Sequence, residues 1–171
     1  SPLPLDNHPS PLPTPVLQPN VKGSHIIARV KSSNCQVNGP LQDIGCTPGA
    51  IDSSLTKEVI CSPSFSTKSV RNVPTAEKQA VYTEYGITSH QPGQYEVDHL
   101  ISLELGGSND IANLWPEAAE PRPGFHEKDL IENYLHKQVC NGVISLETAQ
   151  LEVSSNWLQV YKSVYPDSSP K

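Results

Sequence analysis

Asp98 and His99 stand side by side in YEVDHLISLELGGSNDIANLWPE, residues 95–117, and Asn113 follows them across a Gly106-Gly107 pair. A neutral imidazole near pH 7 can take a proton from water, typically for about 10²- to 10⁴-fold in rate. A carboxylate such as Asp98, joined by a second imidazole such as His126, can hold one divalent ion with several positions left for water and substrate. The amide of Asn113 offers donors and acceptors on one group, enough to bridge backbone across a loop. Hydrolysis of a phosphodiester uses all of these parts. It needs a deprotonated water, and positive charge where the pentacovalent phosphorus and the departing 3′ oxygen become negative.

Those side chains need elements to hold them. Residues 95–105 break any helical period and read as an extended arm leading into Gly106-Gly107, with Ile111 to Trp115 as a returning arm ended by Pro116. On an extended arm Asp98 and His99 alternate sides, so both serve one site only if the arm twists or ends there. HEKDLIENYLHKQVCNG then reads as a helix with an apolar stripe of Leu130, Ile131, Tyr134, Leu135 and Val139, closed by Asn141-Gly142. His126 falls in its first turn, where Asp129 or Asn133 can hydrogen-bond the ring nitrogen left over from the metal. His136, about 80° further round, stays outside the metal set.

Around this lie a helix from about 75 to 85, between Pro74 and Gly86, and a last helix capped by Ser145 that carries Leu146, Ala149, Val153, Trp157 and Val160 on one face. DSSLTKEVI reads as one or two helical turns, and HIIARV, residues 25–30, as a short strand.

Strand, turn, strand and helix in that order, in VDHLISLELGGSNDIANLW followed by the helix opening at His126, resembles the HNH endonuclease family and its ββα-metal (His-Me finger) fold. The resemblance implies that His99 is the general base, Asp98 and His126 the metal ligands, and Asn113 the amide that pins the loop. It also implies cleavage to a 5′ phosphate and a 3′ hydroxyl, with DNA preferred to RNA. Mg²⁺ is the first candidate ion, Mn²⁺ and Zn²⁺ the others. CTPGAIDSSLTKEVIC, VR, EYG, LWPE, KDLIENYLHKQVCNG and LETAQ widen the likeness, which is to secreted bacterial proteins carrying an HNH-type domain, over roughly residues 46–157. Arg71 and Lys128 are the candidate substrate-binding cations, since a guanidinium can hold two phosphate oxygens at once.

The chain has 171 residues, enough for one domain with a core. Seven of its 17 prolines fall in the first 19 residues, so residues 1–23 read as a polyproline-like lead before a single domain over 24–165, with its ββα core at about 95–141 and a tail at 166–171. No apolar run is long enough to span a membrane. A start at Ser without a basic and apolar leader fits a mature exported chain. The net charge of −6 opposes tight, general binding of nucleic acid, and leaves room only for a local site and weak, salt-sensitive binding.

Four cysteines, Cys35, Cys46, Cys61 and Cys140, show no zinc-type spacing, and an even count without any methionine favours two disulfides in an oxidising compartment. Three connectivities are open. Cys35 with Cys46 and Cys61 with Cys140 is preferred, because the second bridge ties the N-terminal half to the helical C-terminal half. The sequence thus predicts a secreted or periplasmic, disulfide-stapled α+β nuclease, monomeric, with any inhibitor or guide protein unassigned. A non-catalytic domain retaining the fold for binding, and a metal-dependent hydrolase of another substrate, stay open.

Overall fold

Residues 27–166 are described by the structure, a computed structural model. The proline-rich lead, His25 and Ile26, and the tail past Pro166 lie outside the described residues. In chain order come α1 (Lys57–Ile60), α2 (Thr67–Val70), α3 (Thr75–Glu84), β1 (Tyr95–His99), β2 (Leu114–Ala118), α4 (Phe125–Cys140) and α5 (Leu146–Val164). Helices and a small antiparallel sheet mix in one α+β unit, stapled by the disulfides Cys35–Cys46 and Cys61–Cys140. No helix among the described residues is long and apolar enough to cross a membrane.

The core forms where α4 lies along α5. Ile131, Leu135 and Val139 meet Ala149, Val153 and Trp157, and Ile101 and Leu105 enter from the segment after β1. Both of these helices have a local reason to begin where they do. The Glu127 carboxylate reaches back to accept from the Gly124 N–H at 3.2 Å, so α4 opens at Phe125, one residue before His126. Ser145 Oγ accepts from the Thr148 N–H at 3.1 Å and caps α5. Cys61–Cys140 joins the residue after α1 to the end of α4 across 79 positions of sequence.

Four expectations need correction. The arm from residue 95 is a strand only as far as His99, and Leu103–Leu105 and Ile111–Asn113 are single 3-10 turns. The returning strand begins later than expected and runs through Pro116, which faces Val97. A two-stranded sheet consists only of edges, where a missing N–H need not break a ladder. Leu130 does not belong to the buried stripe of α4 but is 46% exposed, and its neighbours Lys128 and Glu132 are buried instead. Finally, Ile27–Val30 forms no strand: Val30 is 76% exposed, and the backbone is held to Gly45 O by the N–H groups of Val30 and Lys31, at 2.9 and 3.2 Å.

Candidate functional site

The turn between β1 and β2 is built around one amide. Asn113, fully buried, accepts at Oδ1 from the backbone N–H groups of Ile101 (3.0 Å) and Ala50 (3.2 Å), and donates from Nδ2 to the carbonyls of Ile101 (2.9 Å) and Ser108 (2.8 Å). Its hydrogen-bonding capacity is thereby filled, and three separate segments are locked behind β1. The glycines follow from the same crowding. Gly106 sits at φ +80°, and a Cβ on Gly107 would lie 1.6 Å from the Ile101 carbonyl oxygen.

The locked turn delivers a second amide, from Asn109, to His99. His99 ends β1 opposite Leu114, nearly buried, and its Nε2 lies 3.0 Å from Asn109 Oδ1. Which way the Asn109 amide points follows from its other partners: Nδ2 donates to Val70 O at 2.8 Å, while Oδ1 accepts from the Asn72 N–H at 3.1 Å. An oxygen acceptor facing Nε2 requires the proton on Nε2, which leaves Nδ1 as the basic nitrogen. Burial pulls the imidazole below its ordinary value, helped by the positive charges of Arg71 and Lys128 and opposed by Asn109 and Asp98. The ring is therefore neutral at pH 7. Sequence reasoning missed Asn109, because nothing in GGSND distinguishes a ring-orienting amide from a turn residue.

His99 lines a cavity of about 340 Å³ between β1, α3 and the segment after α2, together with Arg71, Lys78, Tyr82 and Tyr95. Arg71 is exposed, and neither it nor Lys78 forms an ion pair among the described residues. Glu96 is the acid on this wall.

Asp98 engages a different element. Its Oδ2 takes Lys128 Nζ at 2.7 Å, and the same ammonium donates to His99 O at 3.0 Å and to Glu132. Lys128 is 0% exposed, which corrects its assignment as a substrate-binding cation: with its donors turned inward to protein oxygens, it cannot meet a phosphate at the surface. Burial works against the ammonium, but the carboxylates of Asp98 and Glu132 outweigh it and hold the pKa above the ordinary lysine value. Glu117, on β2 and 1% exposed, receives no donor at either oxygen among the described residues and faces the Asp98 carboxylate, and burial followed by Asp98 pushes it up to about 11. Glu117 is thus a neutral acid under the sheet, in a seam the sequence did not announce.

The remaining residues of the expected metal site gather more loosely. His126, Asp129 and Asn133 are all exposed on α4, and no hydrogen bond joins Asp129 or Asn133 to the His126 ring, which instead lies against Phe125 with centroids 4.4 Å apart. Although Asp129 is exposed as a residue, partial desolvation of its carboxyl raises it, followed by Asp98, while Lys128, His126 and Arg71 lower it. Glu96 is likewise raised by burial, Asp98 and Asp129. These groups influence one another electrostatically, but no three of their ligand atoms lie within 4.8 Å of one another among the described residues, so a hard divalent cation would find here one or two protein ligands and fill the rest with water.

Among the described residues the one group of three ligand-type side chains within 4.8 Å is Cys61, His136 and Cys140. Those sulfurs form a disulfide, and His136 Nε2 is spent on Ile60 O at 3.0 Å, so the oxidised protein offers no thiolate there.

No family model, curated protein or solved structure matches this chain.

Proposed function

We propose that the protein is a secreted nuclease of the HNH type that hydrolyses phosphodiester bonds with His99 as general base and one divalent ion, Mg²⁺ first among candidates. The observation that carries this reading is the state of His99, a neutral imidazole on a cavity wall beside Arg71 and Lys78, with Nε2 tied to Asn109 and Nδ1 left basic. Further support comes from the order β1, Asn113-locked turn, β2, α4, which is the order of a ββα-metal core. Two disulfides suit an oxidising compartment, and hence export.

In this mechanism His99 Nδ1 takes the proton of the attacking water, and burial keeps the base form available below the ordinary imidazole value. Arg71 holds non-bridging oxygens of the phosphate. Asn113 keeps the end of β1 fixed while the proton moves. Asp98 and His126 would hold the ion, with Asp129 beside them, and when bound it would supply positive charge to the departing 3′ oxygen. DNA is the expected substrate, the products a 5′ phosphate and a 3′ hydroxyl.

A plasmid-nicking assay tests this. Wild-type protein nicks with Mg²⁺ or Mn²⁺ and stops in excess chelator, and His99→Ala, folded by circular dichroism, loses about 10²- to 10⁴-fold in rate. Nicking at full rate by that variant would overturn the reading.

One observation favours a non-catalytic binding domain instead: Lys128 already neutralises Asp98 from within. Metal-independent oligonucleotide binding without any cleavage would select that alternative.

A further inference from the structure

Beyond the cavity at His99, the groove continues. A second cavity, of about 490 Å³, shares Tyr82 with the first and extends along the C-terminal end of α3 to Thr88 and His90. At the join three rings assemble. Tyr82 and His90 stack with centroids 4.5 Å apart and planes at 26°, and Tyr95 of β1 meets both edge-on, at 6.4 and 6.0 Å. His90 is exposed, and Tyr82 and Tyr95 are only half-buried, so these rings are not core. Their setting is cationic on the side toward His99, where Arg71 and Lys78 face the single acid Glu96.

Charge at one end and flat π surface at the other match a polyanion that carries an aromatic group on every repeat. A duplex turns its phosphates outward and keeps its bases stacked on one another, so it can use Arg71 and Lys78 but not the rings. A single strand can use both.

We propose that Tyr82 and His90, with Tyr95 as the edge-on support, form a base-stacking subsite, and that the ligand of this groove is single-stranded nucleic acid with a phosphate at Arg71 and Lys78. The inference deepens the nuclease reading, on which it rests for the scissile position at His99, but binding is separable from cleavage. Stacking accepts any base, so the subsite selects strandedness and not sequence.

The test is fluorescence anisotropy of the full chain in low salt and excess chelator, with a labelled oligo(dT) and a duplex of equal length. Wild-type protein binds the single strand more tightly. Tyr82→Leu and His90→Ala each weaken that binding by roughly fivefold to a hundredfold and leave the duplex value unchanged. His90 is exposed, so its variant folds even where Tyr82→Leu does not. Equal binding of strand and duplex, no binding at all, or a His90→Ala variant that binds the strand like wild type would overturn the proposal. Strand binding through these rings by a protein that never cuts with Mg²⁺ would uphold the subsite and overturn the nuclease reading.

Discussion

Behind β1 lie two buried polar regions, built on opposite principles. The Asn113 cradle is neutral, and its hydrogen bonds fill the amide. The seam between the sheet and α4 sets Lys128 among Asp98, Glu132 and Glu117, and gives the oxygens of Glu117 no donor among the described residues. A filled neutral network fixes geometry and is indifferent to pH. A crowded charged one holds protons that solvent conditions can shift, and its balance depends on a single cation. His99 is placed by the first and electrostatically tuned by the second.

The largest effect should come from removing that cation. Lys128→Met strands Asp98 and Glu132 in the interior, and should cost about 3 to 5 kcal/mol in urea unfolding. A variant as stable as wild type would mean that the seam is hydrated and not truly buried. Next, Asn113→Ala leaves two N–H groups and two carbonyls unpaired, for about 3 kcal/mol. The contrast sharpens if that loss is the same at pH 5 and pH 9, and fails if it tracks pH.

Glu117→Gln reads the seam's proton directly. The folded protein raises this carboxyl from an ordinary 4.5 to about 11, so the folded state binds a proton that the unfolded state releases in between. The resulting stability is complete below the unfolded value and drains away as pH rises toward the folded one. In chelator, wild-type Tm should therefore fall from pH 5 to pH 9. The Gln variant should follow a flatter line, with its advantage greatest at pH 9, and parallel lines would remove the neutral acid from the account. Smallest in stability is Asn109→Ala, under about 1 kcal/mol, since the amide is only half-buried. Its signature is spectroscopic: ¹⁵N shifts of His99 should move from a single Nε2–H form to a mixture of tautomers. A His99 that stays in one form would show that something other than Asn109 sets its proton.

How legible these regions were in the sequence differs for the same reason. Gly106-Gly107 and Asn113 announced the long, irregular loop of a hairpin, because backbone crowding and an amide's paired donors and acceptors leave few substitutes. The cysteine pairing was one of three possibilities, preferred because it joins the two halves, and it is the pairing observed. The helices at 75–84, 125–140 and 146–164 followed from apolar spacing and caps. Lys128 and Glu132 could not be read that way. Charged residues on a helix ordinarily face solvent, and only the approach of β1 and β2, each with its own acid, turned them inward.

Sequence by itself determined the local vocabulary: which segments coil, where they stop, and that an acid, an imidazole and an amide crowd one turn. Those are matters of backbone sterics and periodicity, which act over a few residues. The tertiary structure alone decided partners. It gave His99 to Asn109, gave Asp98 to a buried lysine 30 residues later, and laid α3 beside the sheet so that Arg71, Lys78 and Tyr82 share a groove with the imidazole. Hydrogen bonds and charges take whatever group packing brings within about 3 Å, and that proximity is not written in spacing along the chain.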